Sequence, residues 1–310
     1  MIFSVVEIQT YKRCKRKWGL QSDNLGNLQP LKVAPALQLG SLIHETLALW
    51  TESPQEDPSD LYLRRVDKAL QSIKQAYLTT VGAPVSPEEL DPFYEAVALG
   101  AAMVANYAAF YRTPLPDTYR SIQTEQRVVI AVPYTEHFLR GTIDNLVEDV
   151  RTGQLFVLER KTYAQRPTVE KLQMDDQMMA YLWMLYQLFG IDKVGGILYD
   201  GLWKRDGSSA RHTSDDLFFR HVFQRAPHEF VEYEDGLFKV VQDMAADAQD
   251  PAGWYPNRRW EGCTDCGMEK LCRAMTRGED VDYVRNTFYT QRPVQASSED
   301  VGGSSDTESE

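Results

Sequence analysis

The stretch from Gly141 to Lys161 reads G-T-I-D-N-L-V-E-D-V-R-T-G-Q-L-F-V-L-E-R-K and constrains this chain more than any other. Two apolar runs flank a turn, Asp149 to Gly153, of the kind that closes a β-hairpin. The first run carries Asp144; the second ends in Glu159-Arg160-Lys161. Strand alternation puts Glu159 and Lys161 on one face and Arg160 on the other. When the strands pair, Asp144 can lie beside Glu159 across the ladder. Two carboxylates and an ammonium then converge at the exit of a buried strand. Like charges repel there, and burial costs roughly several kcal/mol unless something offsets it. A divalent cation held by oxygens is the obvious offset. Mg²⁺ or Mn²⁺ on two carboxylates polarises a phosphate and lowers the pKa of bound water, which suits phosphodiester hydrolysis. The lysine can position that water or stabilise charge in the transition state. E-x-K after an apolar run is also a common edge-strand salt bridge, so the rest of the chain must decide.

A length of 310 residues allows one large domain or two small ones. Met1 to Gln9 is short, carries Glu7 and runs into basic residues, unlike a signal peptide. The longest apolar stretch, Met178 to Phe189, is too short to span a bilayer. The expectation is a soluble, cytoplasmic protein with no membrane partner. The formal charge of −12 argues against a generic nucleic-acid binder. Five of those negative charges sit in the last twelve residues, however, and Lys12, Arg13, Lys15, Arg16 and Lys17 form a dense basic cluster. Local field governs docking of a phosphate backbone more than net charge does. The alternative for this cluster is a solvated helix face.

Ser4-Val5-Val6-Glu7 is a capping box, which predicts a helix from near Val5 that carries Tyr11, the basic cluster and Cys14. Gly40 to Glu45 opens a second helix with an apolar face of Leu42, Ile43, Leu47 and Trp50, and His44 lies near that face. Thr51 to Asp60 reads as a polar linker. Residues 61–80 and 87–112 read as helices that cover one side of a sheet, the second with proline at its first position. Strand patterns cover 120–132, 136–148, 154–161, 194–200 and 217–225, and Glu125 in the first can face the same site as Asp144. Residues 169–189 read as one amphipathic helix ended by Gly190, with Gln177 and Tyr181 one turn apart on one face. A further helix covers 227–248. This order fits an α/β or α+β core with a mixed sheet.

Four cysteines are present: Cys14 and a C-x2-C-x5-C group of Cys263, Cys266 and Cys272. A reducing cytoplasm disfavours disulfides. Four thiolates complete either a tetrahedral zinc or a [4Fe–4S] cluster. A zinc ribbon would usually bring a second C-x2-C pair close by. The three-plus-one spacing instead suggests a metal centre that ties the two ends of the chain together.

These pieces stand in one order: Ser4…Tyr11-x-x-Cys14, Gly40-x-x-x-His44, Glu125, Gly141-x-x-Asp144, Glu159-x-Lys161-Thr162, Gln177-x-x-x-Tyr181, and the cysteine triplet. The order resembles the PD-(D/E)XK nucleases of the RecB-like type, in particular the branch with a cysteine-held iron–sulfur cluster that includes the CRISPR-adaptation and phage exonucleases. The resemblance implies an α/β (α+β) restriction-endonuclease-like core, with a mixed central sheet flanked by helices. It implies a single nuclease domain over 1–290, a helical insertion at 52–118, a cluster region formed by residue 14 and 254–275, and a disordered acidic tail at 291–310. His44, Asp144, Glu159 and the main-chain carbonyl of Arg160 would ligate Mg²⁺ or Mn²⁺. Lys161 would be the catalytic lysine, and Gln177 and Tyr181 would line the DNA path. Cys14, Cys263, Cys266 and Cys272 would hold [4Fe–4S] as a structural staple. Lys15 follows Cys14 where many relatives have proline. The implied activity is metal-dependent hydrolysis of DNA, single-stranded ends above all, in processing, recombination or repair. No G-x-x-x-x-G-K-[ST] occurs, so coupling to a helicase or to a recombination or integration protein would require a partner. The competing expectation is a non-catalytic DNA-binding adaptor with an iron–sulfur or zinc staple.

Overall fold

The computed structural model describes residues 1–31, 35–209, 213–258, 260–263, 266–292 and 301–302. In chain order these form β1 (Ile2–Ser4), α1 (Val5–Arg13), α2 (Lys15–Gln21), β2 (Leu28–Pro30), α3 (Pro35–Glu52), α4 (Pro58–Val81) and α5 (Pro87–Tyr111). There follow β3 (Tyr119–Ala131), β4 (Phe138–Asp149), β5 (Leu155–Tyr163), α6 (Val169–Gln173), α7 (Asp176–Phe189), β6 (Val194–Trp203), α8 (Ser214–Leu217) and β7 (Phe218–Phe223). The last elements are α9 (Pro227–Gln249), α10 (Trp260–Cys263), α11 (Glu269–Arg277), α12 (Val281–Phe288), β8 (Tyr289–Gln291) and β9 (Val301–Gly302). Of the acidic tail, 293–300 and 303–310 lie outside the described residues.

Seven strands make a mixed sheet in the order β7-β6-β5-β4-β3-β9, with β1 parallel to β4, and β2 and β8 pair antiparallel in a separate two-stranded sheet. Pairing is antiparallel for β4–β5 and β6–β7 and parallel for β5–β6. This is the expected α/β architecture, a mixed central sheet flanked by helices. The chain divides into two compact units, one of Val33–Gln126 with Thr142–Ala226, the other of Met1–Lys32, Arg127–Gly141 and Pro227–Glu310.

In the first unit, the sheet unit, α3, α4 and α5 pack on one another around Ile43, Leu47, Trp50, Tyr62, Met103 and Tyr107. Helix α5 is long and apolar enough to cross a membrane. Its Leu90, Phe93, Met103, Val104 and Tyr107 are nevertheless buried, the last four of this set within the α3–α5 core. Helix α3 starts five residues before the predicted opening at Gly40, with a proline at its first position. Asp57 caps α4 by accepting from the Ser59 N–H, so the predicted linker shrinks to 53–57.

Two predicted helices are broken. The 169–189 segment divides at Met174-Asp175, because the Asp175 carboxylate accepts the N–H groups of Gln177 and Met178 and starts α7 afresh. In the second unit, the cysteine unit, the predicted capping box of Ser4 and Glu7 is present, but the helix divides at Cys14. Cys14 is extended (φ −164°), closing α1 and opening α2. Tyr11, Trp18 and Trp254 then stack edge to face, and Leu20, Leu28, Met268, Leu271 and Tyr289 form a separate small core.

Across the sheet unit, Arg160, Asp200 and Arg220 stand in register on β5, β6 and β7. Arg160 is 1% and Asp200 0% exposed. Arg220 Nε lies 3.1 Å from Asp200 Oδ1 and Arg160 Nε 3.8 Å from Asp200 Oδ2. The Tyr107 hydroxyl donates to the same carboxylate. Removing the anion leaves two guanidiniums facing each other without compensation. Asp200→Asn is therefore expected to cost about 3–5 kcal/mol in urea unfolding. A loss below about 1 kcal/mol, the scale of a single neutral hydrogen bond, would reject Asp200 as the centre of this network.

Candidate active site

The antiparallel ladder of β4 and β5 ends at Asn145 opposite Leu158. One step further Asp144 leaves the ladder. Its Oδ2 accepts the main-chain N–H of Arg160 at 3.0 Å and lies 3.2 Å from His44 Nδ1 on α3. Glu159, 1% exposed, places Oε1 2.5 Å from Lys161 Nζ. Lys161 Nζ donates to Gln177 Oε1 at 2.9 Å, and Gln177 Nε2 donates to the Tyr181 hydroxyl oxygen at 2.8 Å. His44 and Asp144 thus form one contact pair and Glu159, Lys161, Gln177 and Tyr181 a second chain of contacts, with Asp144 acting on Glu159 and Lys161 through its charge. The Arg160 side chain is buried on the opposite face, as alternation requires.

Glu125 lies in β3 with φ 47°, the left-handed region that a non-glycine residue enters at a cost. Burial and then the charge of Asp144 hold its carboxyl above the ordinary range. Sequence reasoning did not single out Asp175, whose charge also helps keep Lys161 protonated. Its signal was an acidic pair just before Gln177, the composition of a helix start.

Charge in the site is unbalanced in one place. Burial, then the neighbouring Asp144, pushes Glu159 up to about 7 despite Lys161. For Asp144, burial acts upward, but the hydrogen bond and charge of His44, with the Arg160 N–H, hold it below the usual carboxylate range. For His44, burial opposes the charged ring, and Asp144 and Glu159 outweigh it, so its pKa is raised. Burial likewise opposes the Lys161 charge, and Glu159 and Asp144 reverse the effect. Glu159 Oε2 is buried without a hydrogen-bond partner.

Among the described residues, no group of three or more His, Cys, Asp or Glu side chains is arranged to hold a metal. Asp144 is turned to His44, and Glu159 to Lys161. The donor set still fits Mg²⁺ or Mn²⁺ in kind, being carboxylate oxygens and an imidazole. A buried carboxylate with an orphaned oxygen and a raised pKa is what such a site shows without its cation.

In the cysteine unit all four cysteines are free thiols that line one cleft of about 890 Å³. Arg13, Arg16, Lys17, Arg258, Arg273 and Arg277 line it with them. The Asn257 N–H donates to Cys14 Sγ at 3.5 Å, and Arg16 Nη1 to Cys272 Sγ at 3.7 Å. Of the basic cluster, Lys12 and Arg13 are exposed. Lys15 is instead held by Asp247 at 2.8 Å and lies over the rings of Tyr11 and Tyr255. Arg16 donates to the Trp254 carbonyl and the Thr276 hydroxyl. Lys15 and Arg16 thus have partners within the unit.

This chain belongs to the PD-(D/E)XK nuclease superfamily, whose family model matches residues 2–273. Members of that superfamily typically use divalent metals. Among solved structures the chain is similar to SSO0001, at 12% identity over 88% of this chain and 86% of that one, with a TM-score of 0.39. It is also similar to a protein of Eubacterium rectale described as a "putative exonuclease", at 13% identity over 87% and 86% of the two chains, with a TM-score of 0.42. No curated protein matches it significantly.

Proposed function

We propose that this protein is a Mg²⁺- or Mn²⁺-dependent deoxyribonuclease that degrades DNA from single-stranded ends, in DNA processing, recombination or repair. The observation that carries this reading is the buried Glu159 with its orphaned oxygen, set beside Asp144, His44 and Lys161 at the exit of a hairpin. His44, Asp144, Glu159 and the Arg160 carbonyl would hold the cation. When bound, it supplies Lewis-acid polarisation of the phosphate and a water of lowered pKa. The Arg160 N–H keeps Asp144 directed out of the ladder. Tyr181 orients Gln177, and Gln177 orients the Lys161 ammonium, which stabilises charge that develops on the phosphate oxygens. An unwound end would come from a helicase or recombination partner.

We further propose that Cys14, Cys263, Cys266 and Cys272 hold a [4Fe–4S] cluster as a structural staple. Support comes from four free thiols on one cleft, with N–H donors already directed at two of the sulfurs. The cluster would supply cross-linking and no redox step.

Incubation of anaerobically purified protein with Mn²⁺ and end-labelled single-stranded DNA tests the activity, and a circular strand separates exo- from endonuclease. Shortening of the linear strand alone is expected. DNA binding without cleavage would replace the enzyme with an adaptor. Lys161→Ala is expected to lower turnover by about 10²–10³-fold, the scale of one lost transition-state donor, while Mn²⁺ affinity by calorimetry stays unchanged. Lost Mn²⁺ affinity in a folded variant would contradict that role.

A further inference from the structure

The catalytic face of the sheet does not end at Lys161. Lys161 on β5 is in register with Gly201 on β6, and Gly201 with Phe219 on the sheet-edge strand β7. The neighbouring row runs from Glu159 through Tyr199 to His221. Partners in register share a face, so Phe219 and His221 lie on the same side of the sheet as Glu159 and Lys161. Two strand spacings separate β5 from β7, so Phe219 stands about 10 Å from Lys161 along its row.

What stands on that edge is an aromatic and cationic platform. The half-buried Phe219 and His221 rings are stacked, with centroids 5.9 Å apart and planes within 11°. The exposed Arg166 guanidinium lies over the Phe219 ring at 4.1 Å. Between this platform and Lys161 no side chain rises from position 201. A Cβ there would come within 2.8 Å of the Tyr163 ring and 2.9 Å of the Tyr199 ring. Tyr163 stands on β5 two residues beyond Lys161, 8% exposed; its ring lies against that position and its hydroxyl is buried without a hydrogen-bond partner. Arg166 is close enough to act on that phenol electrostatically.

We infer that Arg166, Phe219 and His221 seat an unpaired base of the DNA strand whose phosphate lies at Lys161. The inference rests on the nuclease reading and adds to it a base subsite that a paired duplex cannot fill. Stacking on an aromatic ring with a guanidinium above it accepts any base, because every base has a π face. The Arg166 guanidinium presents a planar surface to the base and N–H groups to the flanking phosphate.

The test separates binding from cleavage. Fluorescein-labelled oligo(dT) is titrated with protein in EDTA, and affinity is compared for Arg166→Ala, Phe219→Ala, Phe219→Leu and Phe219→Trp. Loss of about 5- to 100-fold is expected for Phe219→Ala and Phe219→Leu, the range for one lost base stack, with Phe219→Trp near the parent. Arg166 is exposed, so Arg166→Ala folds and serves where Phe219→Ala does not; it should lose affinity and flatten the salt dependence. A single abasic site is then moved along the oligonucleotide. One position should weaken binding to the parent and have no effect on Phe219→Leu, since the two losses remove the same contact. Uniform tolerance of abasic sites, or equal loss of affinity for a blunt duplex in the variants, overturns the platform. Parent protein that binds oligo(dT) with this pattern but never cleaves it in Mn²⁺ keeps the subsite and rejects the nuclease.

Discussion

Glu159→Gln is expected to lower Mn²⁺-dependent cleavage by about a thousandfold or more, and to leave the metal-free protein as stable as the parent or more so. Both outcomes have one cause. Glu159 is buried, lies near Asp144 and titrates only at about 7, so its ionised form is disfavoured in the metal-free fold. Its folded pKa stands above the unfolded value, and folding therefore favours the protonated acid. That contribution is full below about pH 4 and is lost as pH rises through about 7. A neutral Gln removes the penalty. It also removes the anionic oxygen that a hard cation requires, and several kcal/mol of lost charge stabilisation in the transition state is a thousandfold in rate. Asp144→Asn should be equally inactive, while the amide oxygen can still accept the Arg160 N–H. The measurements are cleavage of end-labelled single-stranded DNA and thermal unfolding in EDTA between pH 5 and 8. Glu159→Gln with near-parent activity would remove the site assignment. Inactive protein with a large fall in melting temperature would make Glu159 a structural residue instead.

The parts of this molecule legible in the sequence are those encoded locally. A turn between two apolar runs, a serine three residues before a glutamate, and an E-x-K at a strand exit each carry their own physics. The hairpin of Asp144 and Glu159 and the capping box at Ser4 therefore appear where expected. The breaks at Cys14 and Asp175 were hidden because helix-forming residues stand on both sides of each. At Asp175 the acidic pair before Gln177 is the one local signal, and it takes the carboxylate bonded to two amides to divide the pattern. The Arg160–Asp200–Arg220 row was also out of reach, because it depends on the register of three strands drawn from distant segments. The same holds for the Phe219 platform. The convergence of His44 with Asp144 lies between these cases: the motif order suggested it, and only packing of α3 brings the imidazole within 3.2 Å.

Replacing any one of the four cysteines by serine is expected to destabilise the whole protein and not only its C-terminal segment. Cys14 and Cys263 are nearly 250 residues apart, and the whole of the sheet unit lies between them in sequence. A shared metal centre would close that loop. In the chain-entropy model used for disulfides, closing a loop of this size contributes roughly 5 kcal/mol, less where the unfolded chain keeps structure. Metal binding adds its own coupling to folding. Without a cluster, the thiols hold little together. Cys263 is exposed, and the contacts at Cys14 and Cys272 are weak sulfur hydrogen bonds at 3.5 and 3.7 Å. A serine there would then cost at most about 1 kcal/mol. The two cases differ enough for urea unfolding of anaerobically purified protein to separate them. Cluster-bearing parent protein should be brown, with broad absorption near ~400 nm and about four irons per chain. Each Cys→Ser variant should lose colour, stability and cleavage together. One zinc and no iron, with the same loss of stability, would make the staple a zinc site. Neither metal, in a stable and active parent, would leave the cleft as four unligated thiols and remove the cluster from this protein.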